Sequence, residues 1–219
     1  MTNDRIDQLL TTSLTRRRLL GLGLAAAPML VLASACGSDD ESSVGTGGVT
    51  TTTDRTLAPT PSCDDGDEVT PSLTEGPFFS SGSPERTNIA DGVDGTALVL
   101  TGVVLGSDCR TAAGAKVDFW HADSDGDYDN SGYRLRGHQF TDDLGRYKLE
   151  TIVPALYPGR TRHIHVKVQS SGGSVLTTQL YFPGESQNDT DDLFEEACLM
   201  SVSTVGDGRA ATFDFVVEA

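Results

Sequence analysis

Nine consecutive residues, Tyr157-Pro158-Gly159-Arg160-Thr161-Arg162-His163-Ile164-His165, bring together a phenol, two imidazoles and two guanidinium groups. Side chains two positions apart in a β-strand leave the same face. His163 and His165 therefore project together, alongside Lys167, while Ile164, Val166 and Val168 form the opposite, apolar face that must meet a core. An imidazole pair turned away from the main apolar layer suits metal ligation, although an exposed, idle pair has the same pattern. Tyr157 lies on the Pro/Gly loop that enters this strand. A phenol with a pKa near ~10 is a poor ligand when neutral. A strongly Lewis-acidic cation binds it as phenolate and lowers that pKa through its own charge. Zinc sites draw on His, Cys and carboxylates. A Tyr-plus-His set points instead to a hard, trivalent ion. Taken alone, Tyr157 fits an amphipathic core or surface aromatic as well. Tyr128 is the candidate for a fourth ligand.

Tyr128 closes the run Asp123-Ser124-Asp125-Gly126-Asp127-Tyr128. Its alternating aspartates match the start of a calcium loop, but Arg134 stands where such a loop needs a glutamate. An ordinary polar loop is the simpler reading. His121 and His138 have no ligand pattern and read as surface residues or as supports beside the site. Arg162 reads as a solvent-facing residue at the strand entry. The Asp142–Arg146 segment has hairpin-turn chemistry.

The elements that must position these groups are short β-strands. Alternating or β-rich runs occur at Thr96–Leu105, Ala115–Trp120, Tyr147–Val153, the histidine strand, Thr177–Phe182 and Thr212–Val217. Gly, Asp, Asn and Ser clusters separate them. This spacing predicts an all-β fold, an antiparallel β-sandwich. One short C-terminal helix is expected at Thr190–Met200, capped by Asp189 or Thr190, with Asp191 and Asp192 at its positive end.

Three segments divide the 219 residues. Residues 1–35 hold Arg16-Arg17-Arg18 followed by an apolar run that ends before Cys36, which reads as a twin-arginine export signal with a lipoprotein processing site. An uncleaved membrane anchor is the alternative, and both place the domain outside the cytoplasmic membrane, lipid-anchored through Cys36 or secreted. Residues 36–68, rich in Ser, Gly, Thr and Asp, read as a tether. Residues 69–219 form the folded domain. Without residues 1–35 the chain has 12 basic and 30 acidic residues, a net charge of −18. Such acidity argues against nucleic acid as a partner. In an oxidising compartment two of Cys63, Cys109 and Cys198 are expected to pair, with Cys63–Cys109 preferred; three buried, unpaired cysteines are the alternative.

Several motifs in fixed order carry a family resemblance: Trp120-His121-Ala122-Asp123, Gly126-Asp127-Tyr128, Arg136-Gly137, Thr141-Asp142-Asp143-Leu144-Gly145-Arg146-Tyr147, the 157–165 stretch and Thr178-Gln179-Leu180-Tyr181-Phe182. Together they resemble the intradiol ring-cleavage dioxygenases, and most closely the exported, single-domain members. The resemblance implies non-haem Fe(III) held by Tyr128, Tyr157, His163 and His165, with Tyr157 the ligand that leaves when substrate binds. It implies that Arg160 stabilises charge on the activated substrate and that Gln179 lines the same pocket. Thr74 and Pro77 fall in the segment that contributes to the substrate cavity. The implied reaction cleaves a catechol between its two hydroxylated carbons with O₂, giving a muconate-type diacid. The implied partners are a small aromatic diol and O₂, with membrane contact only through the anchor or signal; the oligomeric state, a homodimer among the options, stays open. The loop from Tyr157 to His163 is shorter than in protocatechuate enzymes, which bears on pocket size. The frame Gly114–Val117, Thr141–Tyr147 and Val153-Pro154 also resembles non-catalytic transthyretin-like modules, and an iron-scavenging lipoprotein is a further alternative.

Overall fold

The computed structural model describes residues 69–218. The segments expected to be an export signal and a tether, with Cys36 and Cys63, lie outside the described residues. Nine strands form two sheets: β1 (Ala97–Gly106), β2 (Lys116–Trp120), β3 (Arg136–Phe140), β4 (Arg146–Ile152), β5 (His163–Gln169), β6 (Val175–Tyr181), β7 (Ser201–Val205), β8 (Gly208–Thr212) and β9 (Phe215–Val217). One sheet has the order β4-β1-β8-β7, with β9 also paired to β1; the other has the order β3-β2-β5-β6. The expected sandwich is present. Its pairing is antiparallel except that β8 and β9 run parallel to β1.

The core between the sheets comes from the alternation seen in the sequence. Val117 and Phe119 of β2, Ile164, Val166 and Val168 of β5, and Leu180 of β6 are each 0% exposed. They meet Leu98, Leu100, Tyr147, Leu149 and Phe215 of the facing sheet. Strands β3 and β7 have no counterpart among the sequence-predicted runs. β3 carries Arg136, Gly137, His138 and Gln139, and β7 is Ser/Thr-rich with no fully buried side chain, so neither shows an apolar face. The predicted Thr212–Val217 strand covers the end of β8 and all of β9, interrupted at Phe213-Asp214.

The expected helix at Thr190–Met200 does not form. In its neighbourhood are two 3-10 turns, Ser186–Asp189 and Glu196–Cys198. Asp191, read as a helix-end charge, instead accepts from the amides of Leu193 and Thr161 and from the Arg160 side chain. A carboxylate drawn into these contacts fixes the segment in an irregular path. Cys109 is disulfide-bonded, and Cys198 is a buried free thiol.

The four-stranded sheet has a second buried face, and this is the one that matters for chemistry. Register places Arg136 beside Trp120, Trp120 beside His165, and His165 beside Gln179. These four residues form one cross-strand row, and each is at most 3% exposed. Loops and the arm from Thr70 to Phe79 cover the row. The arm is held to β6 by Leu73 N–H donating to Thr177 O at 2.8 Å. Lys167 pairs with Glu75 and lies 3.8 Å over the Phe79 ring.

Phe119→Ala should lower the domain's stability by about 3–5 kcal/mol through the cavity it leaves. Phe140→Ala, at a side chain 51% exposed, should change stability by no more than about 0.5 kcal/mol. Denaturant midpoints of the two purified variants check this; similar losses would contradict the core assignment.

Candidate metal centre

β5 delivers the imidazoles. His163 and His165 are 4% and 3% exposed, so the pair is not the exposed pair that alternation alone allows. His163 Nδ1 lies 2.6 Å from Thr161 O and donates to it. That bond fixes the tautomer and leaves the lone pair on Nε2. This Nε2 lies 3.2 Å from His165 Nε2 and 3.2 Å from Tyr128 Oη.

Tyr128 reaches this point from the loop after β2. Asp123 organises that loop: its Oδ1 accepts from the amides of Asp125 and Asp127, and its Oδ2 pairs with Arg134 at 2.7 Å. The Asp123 carboxylate is thus committed to the protein, which decides against the calcium-loop alternative. Gly126 is required here. Its φ is +91°, and a Cβ would stand 2.7 Å from Leu156 O. That close approach sets the Tyr128 loop against the loop carrying Tyr157. The two tyrosine rings are edge to face with centroids 5.8 Å apart. Phe78, delivered by the turn at Pro77, stacks on Tyr128 at 4.5 Å and meets Tyr157 edge-on at 5.5 Å. Pro77 itself is exposed. Gly76, with φ +69°, passes His165 so closely that a Cβ would stand 3.4 Å from Cε1.

Hydrogen bonding alone does not satisfy this arrangement. One lone pair on His163 Nε2 faces two neighbours, and His165 Nδ1 has no partner. A cation would take the Nε2 lone pairs of both histidines together with the Tyr128 oxygen. Donors bound at about 2.1 Å and at right angles stand about 3 Å apart, close to the separations seen. Among the described residues no group of three or more His, Cys, Asp or Glu side chains could hold a metal. Any ion here must therefore accept phenol ligands.

The electrostatics agree with that requirement. Burial lowers the His163 pKa to about 4; the Thr161 carbonyl opposes the shift and the Arg160 charge adds to it. Burial, then the neighbouring His163, push His165 well below its usual value. Both imidazoles are thus neutral near pH 7, with lone pairs available. Burial raises the Tyr128 pKa far above the ordinary phenol value, opposed by Arg160 and Arg136 and reinforced by Tyr157. A phenolate at this position needs a cation to bind it.

Arg160 and Gln179 stand beside the centre as a single unit. Arg160 Nε donates to both Asp191 oxygens at 3.0 and 2.8 Å, and its Nη2 donates to Gln179 Oε1 at 2.7 Å. Gln179 Nε2 donates to Thr74 O at 2.8 Å, so Thr74 contributes through its carbonyl. Arg162 is not solvent-facing: it pairs with Glu185 at 2.6 Å and donates to Pro154 O. His121 is not a surface residue. It is 1% exposed, with Nε2 2.6 Å from Thr151 Oγ1. Half-buried His138 contacts Ser83 through Nδ1. A groove of about 870 Å³ runs past Leu156, Arg162, Phe182 and Arg209, but none of the four Tyr and His donors lines it.

Asp191 and Phe78 are the residues that sequence reasoning missed. Nothing marks Asp191 among so many acids, and its partner lies 31 positions away. Phe78 stands beside Pro77 in the arm, where only the resemblance pointed.

The β-sandwich brings the Tyr128 phenol and two imidazoles to one buried point, with the half-buried Tyr157 ring alongside. The family model described as "Dioxygenase" matches residues 74–219. The chain belongs to the intradiol ring-cleavage dioxygenase family. It is 31% identical over 172 residues to a chlorocatechol 1,2-dioxygenase of Pseudomonas putida, covering 66% of each chain. It is 31% identical over 149 residues to a catechol 1,2-dioxygenase of Acinetobacter baylyi, covering 48% of that protein. The chain thus spans about half to two thirds of these relatives' length. Among solved structures, it is similar to the dioxygenase domain of a dioxygenase carbohydrate-binding protein fusion from Streptomyces sp. SirexAA-E, with 52% identity and a TM-score of 0.68, covering 69% of this chain and 99% of that one. A 3-chlorocatechol 1,2-dioxygenase from Rhodococcus opacus gives 28% identity and a TM-score of 0.63, covering 68% of this chain and 72% of that one.

For His121 and His163 the folded pKa of about 4 lies below the unfolded value of 6.5. The unfolded chain binds more protons between these values, so stability rises with pH there. The metal-free domain should keep these contributions in full above about pH 6.5 and lose them as pH falls toward 4. Denaturant titrations across that range check the sign; a midpoint that rises in acid would contradict it.

Proposed function

We propose that this protein is an intradiol dioxygenase that holds non-haem Fe(III) through Tyr128, Tyr157, His163 and His165. It cleaves a catechol between the two hydroxylated carbons and incorporates both atoms of O₂ to give a muconate-type diacid. The observation that carries this reading is the meeting of Tyr128 Oη, His163 Nε2 and His165 Nε2 at separations of 3.2 Å, with Tyr157 alongside.

Bound Fe(III) would supply Lewis acidity toward the diol oxygens and a template for O₂. The chain's own groups do the rest. Tyr157 sits half-buried on a loop whose next two residues, Pro158 and Gly159, are exposed, so it is the phenol with room to move. Its Oη, as a phenolate, would accept one proton from the diol. Arg160 supplies fixed positive charge as the diol becomes anionic. Asp191 and Gln179 hold the guanidinium in place beforehand, which removes the cost of reorienting it. Phe78 shields the phenols from water.

We also infer that the preferred substrate is a diol without a carboxylate. Arg160, Arg162 and Lys167 each have a carboxylate partner, Asp191, Glu185 and Glu75 respectively. A ring-borne carboxylate entering the site would find Arg162 and Lys167 already paired and Arg160 engaged by the anionic diol. Export through the twin-arginine segment, with lipid attachment at Cys36, fits the disulfide at Cys109, since disulfides persist outside the reducing cytosol.

The purified domain loaded with Fe(III) should be red-brown from tyrosinate charge transfer, and catechol should shift the band. An oxygen electrode should record uptake with catechol at least about tenfold faster than with protocatechuate, the difference expected when a charged group finds no free partner. Tyr157→Phe should weaken the band and slow uptake. A colourless protein would overturn the iron assignment, and a coloured one that consumes no O₂ would make it a scavenger.

A further inference from the structure

Arg162 stands directly before β5, and its contacts lead away from the substrate side. Its Nε donates to Glu185 Oε1 at 2.6 Å, and its Nη1 donates to Pro154 O, eight positions earlier. The two side chains of the ion pair are 22% and 23% exposed. Pro154 and Arg162 are the two ends of the loop that carries Tyr157. The far arm of this loop is fastened three times to the segment after β6: Arg160 to Asp191, Thr161 Oγ1 to Asn188 Oδ1 at 2.5 Å, and Arg162 to Glu185. The near arm has a different anchor, the Ala155 amide donating to Asp123 O at 2.9 Å. Among the described residues, Arg162 makes the one side-chain hydrogen bond that joins the two arms. The near arm also faces open space: Val153, Ala155 and Leu156 line the groove of about 870 Å³, with Arg162 and Glu185 in the same wall. At the tip, the Arg160 amide donates to Tyr157 O at 3.0 Å, and Pro158 and Gly159 are exposed.

A loop backed by a groove is not placed by packing, so the polar contacts at its ends decide where its tip stands. Fixing those ends removes conformations that an open loop would sample. We propose that Arg162 is a positioning residue for Tyr157: bridging Pro154 and Glu185, it holds both arms of the loop so that the phenol stands at the centre while the diol is absent. The Tyr157 ring meets Phe78 and Tyr128 edge-on, with centroids 5.5 and 5.8 Å away. These contacts guide the ring but do not fix the backbone beneath it. With the arms held, the tip from Tyr157 to Gly159 moves between fixed ends and returns to the same place after each release. Arg160 and Arg162 thus divide the work: one faces the substrate, and the other holds the loop of a ligand. Arg162 also adjoins His163, so an effect through that imidazole is the rival to separate. The inference rests on the ferric reading proposed above.

The test is a double-mutant cycle read by visible absorption of the Fe(III)-loaded protein without substrate. Tyr157→Phe defines the part of the charge-transfer band that Tyr157 supplies. Arg162→Met removes the guanidinium donors at similar side-chain length and should lose most of that part. In the Tyr157→Phe background the same substitution should change nothing further, because residues that act through one another are non-additive. An undiminished band in Arg162→Met would overturn the proposal. So would an equal change in both backgrounds, which would place the effect at His163. Hydrogen exchange on the metal-free protein gives a second readout. Loss of a hydrogen bond from a charged donor should raise local opening about 10–100-fold, seen at the Arg160 amide that closes the Tyr157 turn. Unchanged exchange there would overturn the clasp. If Arg162→Met does not fold, Arg162→Lys decides: one ammonium reaches Glu185 or Pro154 O but not both. Its band should fall between those of wild type and Tyr157→Phe, with faster exchange than wild type; wild-type values in both would overturn the proposal. A wild-type protein that develops no band would overturn the ferric reading itself, while exchange still decides the clasp, which separates the two failures.

Discussion

β5 is buried on both faces, and the rest of the structure follows from that constraint. Ile164, Val166 and Val168 fill the space between the sheets, while His163 and His165 lie under the arm and the loops. A strand covered only on its apolar side would leave the imidazoles in water, where they would titrate near their usual pKa and compete with solvent for a cation. Covering them makes them neutral and pre-aimed, at the cost of desolvating polar groups. The protein meets that cost group by group. Thr161 O takes the His163 proton, Thr74 O takes Gln179, and Asp191 takes both Arg160 and the Thr161 amide.

Asp191 links charge to shape. One carboxylate fixes the guanidinium, the backbone entering β5 and the turn at Leu193. The Arg160 side chain and the start of β5 therefore cannot move independently. Gln179 extends the same connection to the arm, because its amide nitrogen holds Thr74 while its oxygen holds Arg160. Four separate stretches of the chain are joined by three side chains, Asp191, Arg160 and Gln179.

How much of this was legible in the sequence depended on whether a feature leaves a periodic or a chemical trace. The strands with apolar alternation, β1, β2, β4, β5 and β6, were readable because one face of each must be apolar. β3 and β7 were not, since β3 spends its positions on Arg136, His138 and Gln139 and β7 on Ser and Thr. The histidine pair was readable from its spacing, but its burial was not, because the cover comes from residues nearly ninety positions earlier, as the Gly76–His165 approach shows. Asp191 was misread because Asp residues suit a helix end equally well. Only the distant Arg160 decides its conformation.

The four candidate donors come from two loops and one strand: Tyr128 after β2, Tyr157 before β5, and His163 and His165 within it. A cation that engages all four does so only when those segments are assembled, so its binding free energy is also folding free energy. The centre then acts as a cross-link between segments that the sheet hydrogen bonds leave unjoined. Its contribution grows with the logarithm of free metal concentration relative to the dissociation constant. With such an ion bound, thermodynamic stability would not be a property of the chain alone. It would be set jointly by the sequence and by the metal supply of the compartment in which the chain folds.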